Sequence, residues 1–202
     1  MQAWQLVVVP VGRLDPTELA GALARATKVL RRPVELRTAL AVPPGVEDAD
    51  RGQFRAAVLM ERLAAGVGRL GAGQLVGAEE GAAAAPTPGR RPDAVLFVTD
   101  VDLYTANTAG AIAALQSAKG LAVISVRRLR EAFYRRPADP GRQRARLVKE
   151  ILRMAGRLQG AAECTDPHCV MAATHVVADL DIKEERYCRA CAQRLFEGRV
   201  QL

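Results

Sequence analysis

From Gln5 to Val11 the chain carries a valine-rich run that predicts a buried strand, closed by Pro10 and Gly12. Asp15-Pro16-Thr17-Glu18 then reads as a helix start, with an acidic N-cap, proline at the first helical position and glutamate in the first turn. Leu19, Leu23, Ala26 and Leu30 recur at helical spacing, so this helix is predicted to run to about Leu30. Pro33 to Val42 is the next predicted strand. Pro43-Pro44-Gly45 breaks the chain, and a second helix is predicted from about Asp50 to Ala65, with Phe54, Val58 and Leu59 as its apolar stripe.

Residues 66–92 are low in complexity, with scattered glycines, the run Ala82 to Ala85, and then Pro86-Thr87-Pro88-Gly89. The start of this stretch can extend the preceding helix and its end reads as loop or linker. Ala94 to Thr99 is a buried strand that ends in Asp100-Val101-Asp102. Ile112 to Leu115 reads as a short edge strand and Leu121 to Val126 as a central one. A strong helix is predicted over about 142–158. After Gly160 the pattern changes to a cysteine-bearing segment. Strands alternating with helices predict an α/β domain with a small C-terminal subdomain.

A chain of 202 residues, half of them apolar, can bury a real core. No apolar run approaches the roughly 20 residues of a membrane span, and the N-terminal run lacks a basic lead and a cleavage signature. A cytoplasmic protein without membrane contact is expected. The net charge is +7, and the basic side chains concentrate between Arg127 and Arg157, opposed there by Glu131, Asp139 and Glu150. Such a stretch suits an acidic partner. The near absence of interleaved aromatics, with Phe133 and Tyr134 side by side, and of any nucleic-acid motif argues against nucleic acid.

The cysteines carry the sharpest signal. Cys164, Cys169, Cys188 and Cys191 are the only four in the chain, spaced C-x4-C and then C-x2-C. A C-x2-C pair can present two thiolates to one ion, and a second pair completes a closed tetrahedral shell, so a structural zinc site is expected. Two disulfides do not suit a cytoplasmic chain. A thioredoxin-like Cys188-Arg189-Ala190-Cys191 leaves the other two cysteines unexplained.

These residues resemble a known family. Cys164-Thr165-Asp166-Pro167-His168-Cys169-Val170-Met171, followed by Asp179, Asp181, Lys183 and Tyr187-Cys188-Arg189-Ala190-Cys191, resembles the C-terminal signature of the archaemetzincins. Upstream, Thr99-Asp100-Val101-Asp102-Leu103, Val123-Ile124-Ser125 with Arg128-Leu129-Arg130, Arg51-Gly52-Gln53-Phe54 and Lys149-Glu150 are similar to further family segments. The resemblance implies a zincin-like, metzincin-type fold: a mixed twisted sheet with covering helices and a four-cysteine zinc subdomain. Residues 1–160 are then the α/β domain, with 66–92 as an insertion, and residues 161–202 the zinc subdomain.

The family's catalytic motif is H-E-x-x-H-x-x-G-x-x-H-C, in which three histidines hold zinc and the glutamate is general base on its water. Anchored on Cys164, this chain has Arg153, Met154, Arg157 and Glu163 at those four positions, while Gly160 is kept and Met171 matches the family's Met-turn methionine. Arginine offers only donors and cannot ligate a cation, and methionine cannot take a proton. His168 and His175 are the only histidines, and both lie in the cysteine region. His168 reads as a surface residue of the metal loop. The resemblance therefore implies a pseudopeptidase that keeps one structural Zn2+, has no catalytic zinc and no catalytic residues, and offers its vacant cleft to a peptide or acidic ligand. Glu163 is expected to pair with one or both of Arg153 and Arg157 inside the old pocket. The alternatives are a hydrolase using an unrecognised metal site and a basic zinc module for nucleic acid. The oligomeric state is not legible.

Overall fold

The computed structural model describes residues 4–67, 73–77 and 92–197. Along the chain run β1 (Leu6–Val11), α1 (Pro16–Leu30), β2 (Val34–Leu36), β3 (Glu47–Asp48), β4 (Gln53–Arg55), α2 (Ala56–Val67) and β5 (Gln74–Val76). They are followed by β6 (Ala94–Thr99), β7 (Leu103–Tyr104), β8 (Ala113–Gln116), β9 (Leu121–Ser125), α3 (Pro140–Leu158), α4 (Val177–Ile182) and α5 (Arg189–Ala192).

Six strands form the main sheet in the order β5-β2-β1-β6-β9-β8. The inner four are parallel, and β5 and β8 run antiparallel at the two edges. Helices cover both faces, so the central strands are apolar on both sides and read as continuous runs. Leu6, Val8, Leu96, Val98, Ala122 and Ile124 meet α1 and α3 on one face. Val7, Val9, Val11, Val95, Phe97 and Val123 meet α2 on the other. A second, three-stranded sheet, β3-β4-β7, lies beside these layers.

Helix α1 begins as its sequence dictates: the Asp15 carboxylate accepts from the amides of Thr17 and Glu18, and Pro16 occupies the first turn. The same device starts α3 at Pro140, earlier than the expected 142, because Asp139 accepts from the Arg142 amide at 2.9 Å. The strand expected over 33–42 shrinks to Val34–Leu36. Pro10 turns its carbonyl toward this side, accepting from the Leu40 amide at 2.9 Å, but has no N–H to donate, so the ladder with β1 is interrupted. The second helix starts at Ala56 rather than near Asp50. Gly52, at φ 60°, closes a turn on the Asp48 carbonyl, and Phe54 pairs with Leu103 in a strand instead of lining a helix. Within 66–92, α2 reaches Val67 and β5 is an unexpected edge strand, while 68–72 and 78–91 lie outside the described residues.

The described residues from 161 to 197 add no separate core. Val170, Met171, Val177, Leu180, Tyr187 and Leu195 join the cluster built by α1, α3 and the sheet. What docks them is largely polar. Arg146 on α3 is fully buried and reaches Asp181 and Glu131, both at 2.6 Å, and the Leu129 carbonyl at 2.8 Å. Truncating one member of a buried ion cluster strands its partners. Arg146→Ala is therefore expected to lower the unfolding free energy by about 3 kcal/mol, measured by urea denaturation.

Candidate metal centre and the adjoining pocket

The four cysteines converge. Cys164 lies in an isolated bridge to Ala172, Cys169 ends a turn closed on the Asp166 carbonyl, Cys188 caps α5 and Cys191 sits within it. All four are free thiols, and their sulfurs lie within 4.8 Å of one another. A tetrahedral shell with Zn–S bonds of about 2.3 Å spaces its sulfurs by about 3.8 Å. The Cys164 and Cys188 sulfurs are 3.8 Å apart. Cys169 Sγ accepts amides from Cys188 at 3.3 Å and Met171 at 3.5 Å. The Cys191 amide, before other hydrogen bonds, draws the Cys188 thiol below its ordinary range. Burial pushes Cys169 and Cys191 up, as it does for thiols gathered without a cation. Four soft donors, backbone amides aimed at sulfur and no disulfide together fit one thiolate-bound metal ion.

One face of α3 leads from the fold to this centre. Arg146, Lys149, Glu150, Arg153 and Arg157 recur at helical spacing and face the C-terminal segment rather than water. Lys149 Nζ donates to the Leu180 carbonyl at 2.7 Å. Glu150, with no exposed surface, accepts from Thr174 Oγ1 at 2.5 Å and from Arg153 Nη1 at 3.2 Å. Lys183 is buried and donates to Thr174 Oγ1 and, at 2.6 Å, to the Ala172 carbonyl. Its burial lowers the ammonium pKa to about 8. Glu150, Thr174 and Lys183 complete a polar network that spacing alone does not expose, because it joins α3 to side chains of the C-terminal segment. The hint available in the sequence is the set of charges interrupting the apolar face of α3.

Of the four positions singled out, Arg153 and Glu163 come together. Arg153 Nη2 donates to Glu163 Oε1 at 2.8 Å, so the expected ion pair forms with this arginine. Arg157 instead donates Nη1 to the Ala161 carbonyl at 3.1 Å. Burial pushes the Glu163 carboxyl up, but the Arg153 hydrogen bond and charge, with help from Arg157 and His175, hold it below the ordinary range. Met154 turns the other way and is 2% exposed within the core. Gly160 adopts φ 88° at the helix end, which reverses the chain and brings Glu163 back to Arg153. Met171 is fully buried beneath α3, so close that a Cβ on Gly156 would lie 2.5 Å from its sulfur.

His168 and His175 are both exposed. His168 Nδ1 lies 3.4 Å from the Ile182 carbonyl, at the rim of the cysteine loop. Among the described residues the four cysteines are the one cluster of metal-ligating side chains. Part of the basic stretch is matched by carboxylates: Arg128 pairs with Asp102, the exposed Arg136 and Arg142 reach the buried Glu131, and Arg153 pairs with Glu150. No described helix is long and apolar enough to cross a membrane.

The architecture is that of zinc peptidases of the metzincin type. A zinc-dependent peptidase from Methanocorpusculum labreanum superposes with a TM-score of 0.77 at 23% identity, over 94% of this chain and 99% of that one. The archaemetzincin of Methanopyrus kandleri gives 0.72 at 21% identity over 98% and 97%, and that of Archaeoglobus fulgidus, solved complexed with malonate, gives 0.68 at 22% over 94% and 99%. The sequence profile of peptidase family M54 matches residues 92–197, and the chain belongs to that family. The archaemetzincin of Pyrococcus furiosus is 36% identical over 104 residues, 52% of this chain and 54% of its own length. That of Methanocaldococcus jannaschii is 34% identical over 103 residues, 51% of this chain and 58% of its own. The match thus spans little more than half the length of these relatives.

Two outcomes follow for this site. Cys169→Ser is expected to lose bound metal and to unfold the segment after Gly160 first, detected as accelerated amide exchange there. Lys183 titrates at about 8 in the fold and near 10.5 when unfolded, so between those values the unfolded chain holds the extra proton. Stability should therefore climb with pH across that window, with a slope approaching about 1.4 kcal/mol per pH unit from this group. The comparison of Lys183→Met with the parent chain in urea denaturation between pH 7.5 and 10 isolates that slope.

Proposed function

We propose that this chain is a non-catalytic member of its family, with one structural zinc in the cysteine cluster and no catalytic zinc. The side chains at 153, 154, 157 and 163 carry this reading. Two are arginines, one is a core-buried methionine, and the fourth is a glutamate already paired with Arg153. The guanidiniums of Arg153 and Arg157 offer no lone pair to a metal, and the Met154 thioether cannot take a proton from a water. The cysteine shell is saturated by its own four thiolates, so a metal in it would keep no open position for chemistry.

The remaining capacity of the cleft is recognition. Strand β8 ends the sheet, with α3 packed against it, and an edge strand can accept an extended peptide by main-chain hydrogen bonds. Arg153 and Arg157 favour acidic groups at the end of α3. The malonate held by the Archaeoglobus fulgidus relative is an anion of the class expected here. A cytoplasmic setting, where thiols stay reduced, suits this reading.

Metal quantification with activity assay tests it. The purified chain should carry one zinc, lost in Cys164→Ser, and should leave a broad peptide library uncut at every metal tried. A second tightly held metal that survives in the cysteine variant, or zinc-dependent cleavage, would overturn the reading.

A further inference from the structure

At the end of α3, Arg153, Arg157 and Lys183 are set among Glu150, Glu163 and Asp179, and Lys183 interacts electrostatically with Arg153 and with all three carboxylates. Two of these carboxylates, Glu150 and Glu163, reach Arg153 directly. The two carboxylates are unequal. Glu150 has no exposed side-chain surface, whereas the Glu163 side chain is 44% exposed. Arg153, at 11% exposure, is gripped from behind by the first and touched from the front by the second. Its Nε is buried without a hydrogen-bond partner. Arg157 has no carboxylate within ion-pairing distance among the described residues and uses Nη1 on the Ala161 carbonyl.

A pair open to water is worth less than about fivefold in an equilibrium constant, whereas a buried charge cannot leave its partner without leaving an unpaired ion behind. The front half of the Arg153 fork is therefore exchangeable and the back half is not. A guanidinium fork also selects planar, two-oxygen acceptors over other anions. We propose that Arg153, Arg157 and the exposed His175 form a carboxylate-binding site, in which Glu163 sits as a displaceable internal ligand. An incoming carboxylate replaces the Glu163 oxygens at Arg153 Nη2 and recruits the uncommitted donors of Arg157. Glu163 swings to solvent on the short segment after Gly160. The proposal rests on the reading that these side chains hold no metal, and it names both the ligand class and the element that competes for the site.

Calorimetric titration of the zinc-loaded full chain at fixed ionic strength tests it. The probes are malonate, a short neutral peptide with a free C-terminal carboxylate, and the same peptide amidated. Glu163→Gln, which removes the competitor but preserves shape, should tighten carboxylate binding by about two- to fivefold. Arg157→Gln should weaken it by a similar factor while zinc content stays at one per chain. Binding of malonate alone identifies a small dicarboxylate as the ligand, and binding of the acid peptide alone identifies a chain terminus; either supports the site. Equal affinity of Glu163→Gln and the parent for both carboxylates, no binding by either protein, or equal binding of the amidated peptide would overturn the proposal. A second metal per chain would instead overturn the non-catalytic reading on which it stands.

Discussion

The structure turns on the polar face of α3. A helix of this length would ordinarily give one face to the core and one to water. Here the second face is covered by the C-terminal segment, so the charges it carries have to be matched within the protein. Arg146 finds Glu131 and Asp181, Lys149 the Leu180 carbonyl, Glu150 the Thr174 hydroxyl, and Arg153 two carboxylates. Buried pairs of this kind contribute little net stability relative to apolar packing, yet they are intolerant of a missing partner. They fix where the segment sits. Tyr187 adds a directional contact, donating its hydroxyl to the Leu152 carbonyl at 2.8 Å.

That docking places the cysteine cluster and the arginine pocket side by side. Glu163 and Cys164 are neighbours in sequence, and Cys169 stands two residues before Met171, which packs under Gly156. A close-packed contact between a methionine and a glycine in the last turn of the helix leaves no room for the segment to shift along α3. A guanidinium between two carboxylates, Arg153 between Glu150 and Glu163, ties this end of the helix to the segment.

Much of this could be read from the residues, for physical reasons that differ by element. The strand at Ala94–Thr99 and the helix from Pro16 were legible because a continuous apolar run and an Asp-Pro cap are local signals. Asp139-Pro140 repeats that cap and could have been read the same way. β4 was not legible, since three residues with one aromatic become a strand only by pairing with the two-residue β3 on one side and with Leu103, far along the chain, on the other. β5, a Leu-Val pair among glycines, likewise exists through its pairing with β2. The cysteine cluster was legible because thiolate spacing is a covalent constraint. The partner of Arg153 followed from the same anchor, but Glu150, Thr174 and Lys183 did not, as buried hydrogen bonds between distant segments leave no periodic trace.

The single peptide bond between Glu163 and Cys164 has a thermodynamic meaning. A metal held by the thiolates would restrain the backbone from which Glu163 reaches Arg153, and the ion pair in turn would restrain the backbone from which Cys164 reaches that metal. Coupling of this sort is reciprocal: whatever factor metal adds to the pairing equilibrium, the pair returns to metal affinity. An ion on one side of that bond and a charge pair on the other therefore behave as one linked equilibrium, and the occupancy of either can be read from the other.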